Sequence, residues 1–261
     1  MKTPFFILFI AFCGFIFAQN PVAPFKRGEK ITYRVHYGFI DAGEATIEVD
    51  KETNFAGKPV YHIIGNGRSL GTFNYFYKVR DRYESYIDER TFLPIYFLRR
   101  TDEGGYIINQ DYVFNRYNNT VKSKRSGSDA KRNGDSIYNV QENMHDILSA
   151  FYYARSLDNT KFDVGKEVSL NTFFDEEHFP MKFKVIGRET IKTKLGKVKC
   201  FKVRPILQKG RVFKNEEDLT LWVSDDANRI PIRMQANVLV GSIKMDIKQV
   251  ENLRYPLAIE K

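Results

Sequence analysis

Apolar and polar residues take turns along most of this chain. Ile31, Tyr33, Val35, Tyr37 and Phe39 alternate with Lys30, Thr32, Arg34 and His36, and Ala45, Ile47 and Val49 alternate with Glu44, Thr46, Glu48 and Asp50. The longest run takes in Phe73, Tyr75, Tyr77, Val79, Tyr83 and Ile87, separated by Asn74, Lys78, Arg80, Arg82, Glu84 and Asp88. A period of two sends successive side chains to opposite faces, so these runs predict strands with one buried and one wetted face. Parallel sheets covered on both sides read as unbroken apolar runs, so the pairing is expected to be antiparallel. Turn chemistry agrees: Glu103-Gly104-Gly105 parts two aromatic-rich runs, Gly196 lies between Thr193 and Val198, and Gly241 parts Met234–Val240 from Ile243–Ile247. Asp225, Asp226 and Asn228 interrupt Leu219–Val223 before Ile230, and the spacing predicts roughly a dozen strands.

The period changes once. Ile147, Leu148, Phe151, Tyr152 and Arg155 follow at helical spacing, with Asn143 as the expected N-cap, predicting one amphipathic helix over about 143–158. Such a helix in a β-rich chain must lay its apolar stripe on the sheet or plug an open end. The stretch from Lys122 to Asp135 carries Lys122, Lys124, Arg125, Lys131 and Arg132 among Ser, Gly and Asn, and is expected to be a mobile basic loop. The expected fold class is therefore mainly β: a large antiparallel, strongly curved sheet or open barrel-like architecture with one main helix. Residues 19–261 are expected to form a single β-rich domain, divisible into two lobes meeting near 122–142.

Composition adds an address. Lys2 precedes an uncharged stretch from Phe5 to Phe17, and Ala18 stands before Gln19, Asn20 and Pro21, the three-part pattern of a signal peptide over residues 1–18 with cleavage after Ala18. The apolar run is short for a membrane span of about 20 residues, so no transmembrane span is expected once the signal is removed. Cys13 raises a lipoprotein alternative, which Phe12 disfavours because the residue before a lipidated cysteine is ordinarily small. The expected location is the periplasm or cell envelope. The formal charge of +9, from 41 Lys and Arg against 32 Asp and Glu, favours anionic neighbours. An exported chain has no route to nucleic acid, which removes DNA and RNA as partners. Cys200 is the one cysteine outside the signal, so no intramolecular disulfide is available and packing must supply the stability.

Several short patterns suggest chemistry and each has a plainer explanation. Gly67-Arg68-Ser69-Leu70-Gly71 matches the G-x-S-x-G nucleophile elbow, but that turn leads from a strand to a helix in a parallel sheet. Strand-like alternation follows Ser69 here, so a glycine-rich turn is the preferred reading. Asp175-Glu176-Glu177-His178 carries metal-ligating atoms, yet consecutive strand residues diverge, and an acidic solvated turn before a Met181–Val185 strand is expected. Cys200 lacks a nearby base and reads as a small core residue. His62 shares parity with Val60 and Ile64 and reads as a buried, satisfied histidine, whereas His36 falls on the polar face. Asp135-Ser136-Ile137 resembles a short acceptor pattern for O-linked glycans in exported bacterial proteins. No catalytic, metal or cofactor-binding residue is assigned, and no ligand-binding residue can be named.

Several longer stretches carry a resemblance in their order along the chain. They include 25–33 (FKRGEKITY), 38–43 (GFIDAG), 83–88 (YESYID), 103–106 (EGGY), 146–152 (DILSAFY), 221–226 (LWVSDD) and 229–233 (RIPIR). Together the chain resembles the bacterial family called domain of unknown function 3108 over roughly residues 25 to 251. The resemblance implies an exported protein with a large antiparallel sheet and carries no catalytic residue with it. The architecture is also similar to the curved sheets of periplasmic lipoprotein carriers, an analogy of fold alone. Three functions compete on these readings. A non-enzymatic envelope protein would bind an apolar or amphiphilic ligand, such as a lipid, in a concave sheet. A structural scaffold would bind an envelope protein. A hydrolase would use Ser69.

Overall fold

The structure, a computed structural model, describes residues 22–51, 54–206, 219–238 and 241–260. Alternation becomes strand almost throughout. The N-terminal half runs as β1 (Lys30–Tyr37), β2 (Ile40–Val49), β3 (Asn54–Phe55), β4 (Lys58–Ser69), β5 (Val79–Asp88), β6 (Pro94–Glu103), β7 (Tyr106–Asn115), β8 (Thr120–Gly127) and β9 (Gly134–Asn139). After a helix come β10 (Glu167–Leu170), β11 (Phe173–Phe174), β12 (Glu177–His178), β13 (Met181–Thr193), β14 (Gly196–Pro205), β15 (Leu219–Ser224), β16 (Pro231–Asn237) and β17 (Ser242–Glu251). All but β11 and β12 belong to one 15-stranded sheet whose named pairings are antiparallel, in the order β10-β13-β14-β15-β16-β17-β1-β2-β4-β5-β6-β7-β8-β9 with β3 on β4. The sheet stays open, with β10 and β9 as edges, and the last strand returns to pair with the first.

Bulges bend it. The register slips at Thr32/Tyr33, Tyr86/Ile87, Val185/Gly187 and Trp222/Val223, and each extra residue kinks its strand and raises the local twist. Gly104 and Gly105, at φ +63° and +88°, make the tight β6–β7 turn that the sequence predicts.

The helix α2 (Ile147–Ser156) lies on the concave side. Its N-cap is Asp146, not Asn143, and it ends before 158. Asn143 sits at φ +54°, outside the helix. Asp146 is fully buried and accepts from the backbone N–H of Leu148 and Ser149 at 2.8 and 2.9 Å, while Ser149 Oγ accepts from Asp146 N–H. That reciprocal capping box satisfies the open turn, and Ser85 Oγ of β5 donates to the same carboxylate at 2.6 Å, fixing the helix start to the sheet. Tyr152, with Phe25, Val49, Ile63, Ile87 and Phe92, forms one core cluster. At the far end Arg155 donates two bonds to Glu29, at 2.6 and 2.9 Å, with neither side chain more than 2% exposed.

Two other expectations are corrected. The run from Phe73 to Tyr77 is not strand: a short helix α1 (Phe73–Phe76) interrupts it, and β5 begins at Val79. Nor is the 122–135 stretch a loop. It forms β8 and the start of β9 around a 3-10 turn at Ala130–Arg132. Basic residues suit a strand whose alternate positions point outward: Lys122 and Lys124 are exposed while Val121, Ser123 and Arg125 are buried.

Arg155→Met should strand the Glu29 carboxylate in the interior and cost about 3–5 kcal/mol. Urea unfolding followed by Trp222, the one tryptophan, measures this. Joining Glu29→Leu to Arg155→Met should recover most of the loss, because no unpaired charge then remains.

Candidate functional site

The inward-facing residues shrink towards one end of the sheet. Along β2 they run Val49, Ile47, Ala45, Gly43, and along β4 opposite them Ile63, Gly65, Gly67. A floor nearly devoid of side chains leaves a trough between the sheet and α2. Its central chamber, ≈ 380 Å³, is lined by Tyr33, Ala45, Ile47, Gly65, Gly67, Asp81, Tyr83, Leu148, Phe151 and Met245, among others. Ala45 and Gly67 are shared with an outer chamber of ≈ 340 Å³ that reaches Val35, Tyr37, Phe73, Val79 and Ile243. Phe151, Leu221 and Pro231 are shared with a smaller one of ≈ 130 Å³ towards Phe162, Phe183 and Val203. The walls are predominantly apolar and the chambers adjoin, in the size range that holds small ligands.

The helix covers the trough only in part. Its residues Ser149, Ala150, Tyr152 and Arg155 are buried, but Leu148 and Phe151 stay half-exposed above the floor. Polarity is sparse in the trough. Tyr33 and Asp81 line the central chamber, and the Tyr33 hydroxyl and Asp81 Oδ1 have no hydrogen-bond partner among the described residues. Burial first, and Glu103 next, push the Asp81 carboxyl up to about 6.

The residues singled out from sequence scatter over the molecule. Ser69 ends β4, and after three residues α1 follows, so a strand–turn–helix does surround it, contrary to the expectation of continuing strand. The sheet there is antiparallel on both sides of β4. Ser69 is 4% exposed; its Oγ donates to Asn74 Oδ1 at 2.8 Å and accepts from Val79 N–H at 2.9 Å. That hydroxyl closes a turn. Asp175 and Glu176 occupy left-handed positions between β11 and β12 and are partly buried, whereas Glu177 and His178 are exposed as the expected solvated turn requires. The hairpin folds over β8, where Asp175 accepts from Arg125 and Arg132 at 2.8 and 3.1 Å and Glu176 from Ser123 at 2.8 Å. Burial alone would raise the Asp175 carboxyl, but those guanidinium hydrogen bonds hold it below its ordinary value. No group of three or more metal-ligating side chains occurs among the described residues.

Cys200 is buried, and burial pushes its thiol up to about 12, which suits packing and not nucleophilic attack. His62 is buried and satisfied, with Nε2 2.7 Å from Glu84 and its ring stacked on Tyr86. His36 lies on the polar face as its parity requires, yet Asp246 and the Gly38 carbonyl cover it, at 3.0 and 2.7 Å. Ser136 is exposed on β9, an edge strand. Cys13 and Ala18 lie outside the described residues.

The concave face is expected from sequence but its lining residues are not named there, although one signal is visible. Gly65-Asn66-Gly67 places two glycines at one parity inside a strand, and glycine there marks a close approach or missing bulk. A Cβ at Gly67 would meet Asp81 Cβ at an ordinary 3.8 Å, so packing at that position does not require glycine. Gly43 differs: a Cβ there would lie 2.6 Å from the Arg68 carbonyl oxygen.

Comparison with known proteins bears on the family and the fold. A family model described as Protein of unknown function (DUF3108) matches residues 32–248. Among solved structures, a β-barrel-like protein of domain of unknown function DUF1849 from Brucella abortus is 9% identical, with a TM-score of 0.54 over 87% of this chain and 98% of that one. A candidate exported protein with YmcC-like fold from Bacteroides fragilis is also 9% identical, at a TM-score of 0.31 over 87% and 97%. A candidate lipoprotein from Parabacteroides distasonis is 11% identical, at 0.30 over 87% and 97%. No curated protein matches.

Two substitutions separate floor from scaffold. Gly43→Ala should cost about 1–3 kcal/mol by forcing backbone apart, whereas Gly67→Ala should be neutral or gain up to about 1 kcal/mol from a less flexible unfolded chain. Urea unfolding of the pair reads both. Asp81 binds its proton more tightly folded than unfolded, where 3.8 applies. Its favourable contribution is therefore complete below pH 3.8 and fades as pH rises through about 6. Stability of Asp81→Asn relative to the parent should climb across that window, as equilibrium unfolding at a series of pH values would register.

Proposed function

The chain belongs to that family, and we propose that it is a non-enzymatic, exported cell-envelope protein holding an apolar or amphiphilic ligand in the trough. The observation that carries the reading is the glycine and alanine floor beneath Leu148 and Phe151. A protein selected for stability alone would fill such a space, because unfilled volume between apolar walls forfeits contact energy. Here Gly67 leaves room that a side chain could take, and the apolar face of α2 stays half-covered. A ligand that buries Leu148, Phe151, Tyr33 and Met245 would supply the missing contacts.

Export is part of the proposal. It rests on Lys2, the apolar run from Phe5 to Phe17, and Ala18. No helix among the described residues is long and apolar enough to cross a membrane. The absence of catalysis is also proposed, supported at Ser69 by a hydroxyl already committed to Asn74 and Val79.

N-phenyl-1-naphthylamine, whose fluorescence rises in apolar surroundings, should bind the purified protein. Gly67→Leu, which sends a branched side chain into the central chamber, should weaken that binding at least ~10-fold, since two or more buried carbons at ~0.8 kcal/mol each are displaced, while leaving the fold intact. Equal binding by both proteins would refute the trough as the site. Organic extraction and mass spectrometry should find a co-purifying amphiphile. A serine-directed fluorophosphonate should leave the protein unlabelled; labelling that vanishes in Ser69→Ala would instead restore the hydrolase.

A further inference from the structure

Exposed hydrophobic side chains are not spread evenly over this molecule. The turns β1–β2, β4–β5, β6–β7 and β16–β17 all fall at one end of the sheet, because Tyr37 pairs with both Ile40 and Ile243, Gly43 with Ser69, and Val79 with Glu103. That end carries most of the exposed large hydrophobics among the described residues, led by Phe39, Tyr75 and Phe76 at 102%, 89% and 83% exposure. Single exposed apolar residues need no explanation, but a cluster confined to one end does.

Two close contacts hold the turns together. The ring of Tyr77, in the β4–β5 turn, covers Gly104 in the β6–β7 turn so closely that a Cβ there would lie 2.6 Å from Tyr77 Cε2. Tyr37 covers Gly241 in the same way, 3.0 Å from its hydroxyl. Both glycines have positive φ, +63° and +79°, so the backbone is shaped to receive these rings. The exposed side chains are thus mounted on braced turns.

Their chemistry narrows the partner. Phe and Tyr combine an apolar body with, in Tyr, a polar tip, the combination favoured where hydrocarbon meets headgroups. Lys78 and Arg80 follow directly and are both exposed, with Arg80 Nη1 donating to the Val79 carbonyl at 2.5 Å. Of the carboxylates at this end, Asp41 accepts from Arg34 and Asp102 from Gly105 N–H, and Glu103 stands opposite Val79, less exposed than the two basic residues that flank Val79. With the chain at +9 overall, this favours an anionic surface. The rim also borders the trough, whose outer chamber it lines through Tyr37, Phe73 and Ile243.

We infer that this aromatic rim docks on an anionic lipid bilayer, with Phe39, Tyr75 and Phe76 entering the interface and Lys78 and Arg80 contacting headgroups. The inference rests on the trough reading for its purpose, since docking would present the mouth to the lipid phase, though the two are tested separately. Sedimentation with vesicles of phosphatidylglycerol and phosphatidylcholine should pull down the purified protein, more weakly as salt rises. The variant Phe39→Ser/Tyr75→Ser/Phe76→Ser should lose at least ~10-fold in vesicle partitioning, as removal of three buried aromatic side chains demands. It should keep the parent's melting temperature and N-phenyl-1-naphthylamine binding. Gly67→Leu should do the reverse, retaining vesicles and losing the probe. Failure of the parent to bind vesicles at low salt, or undiminished binding by the triple variant, overturns the inference without touching the trough. Concentration-dependent sedimentation without vesicles that the triple variant abolishes would assign the rim to a second copy, and overturns it likewise.

Discussion

Arg155 and Glu29 face each other in the interior through two parallel hydrogen bonds, each side chain almost wholly shut off from water. Burial by itself would weaken the positive charge, but Glu29 more than compensates and holds the guanidinium ionised. The pair joins three parts of the chain that are distant in sequence. Glu29 leads into β1, Arg155 ends α2, and its Nε donates to the Asn228 carbonyl in the β15–β16 connection. Arg229 then reaches back to the carbonyls of Arg155 and Leu157. Since an ion pair this deep is tolerated only with its partners in place, it allows the helix one position over the sheet.

That position decides where space remains. Asp146 fixes the start of the helix to Ser85 and Arg155 fixes its end, so the helix cannot slide further over the floor. Tyr152 goes down into the cluster with Phe25, Ile63 and Phe92, while Leu148 packs over Gly65 and Phe151 lines the same chamber. The trough thus follows from two choices made far apart in sequence: small residues on β2 and β4, and a helix clamped at both ends.

The two faces of the sheet divide the work. On the convex face, charges pair across strands, as Arg68 with Glu44, Arg100 with Asp111 and Arg233 with Asp246 do. Such half-exposed pairs add little stability but keep a broad sheet wetted. On the concave face the β11–β12 hairpin satisfies Ser123 and Arg125, while the Tyr33 hydroxyl and Asp81 Oδ1 beside the trough stay without a hydrogen-bond partner among the described residues.

Sequence by itself determined the strand pattern, the antiparallel pairing and the existence of the main helix. These depend on periodicity, which is local. Turns at Gly104, Gly196 and Gly241 were equally legible, since a tight turn must be made by the residues in it. Periodicity failed at Phe73–Tyr77, where alternating aromatics sit in a short helix at the exposed end, because alternation can be kept without a partner strand to pair with. It failed for the charged strand β8, whose lysines sit outward and whose Arg125 meets Asp175. Only tertiary structure decided that Glu29 belongs with Arg155, that Gly65 and Gly67 form a floor, and that four turns gather into an aromatic rim. Each depends on residues far apart in the chain, and nothing in a local pattern says which distant surface will lie opposite.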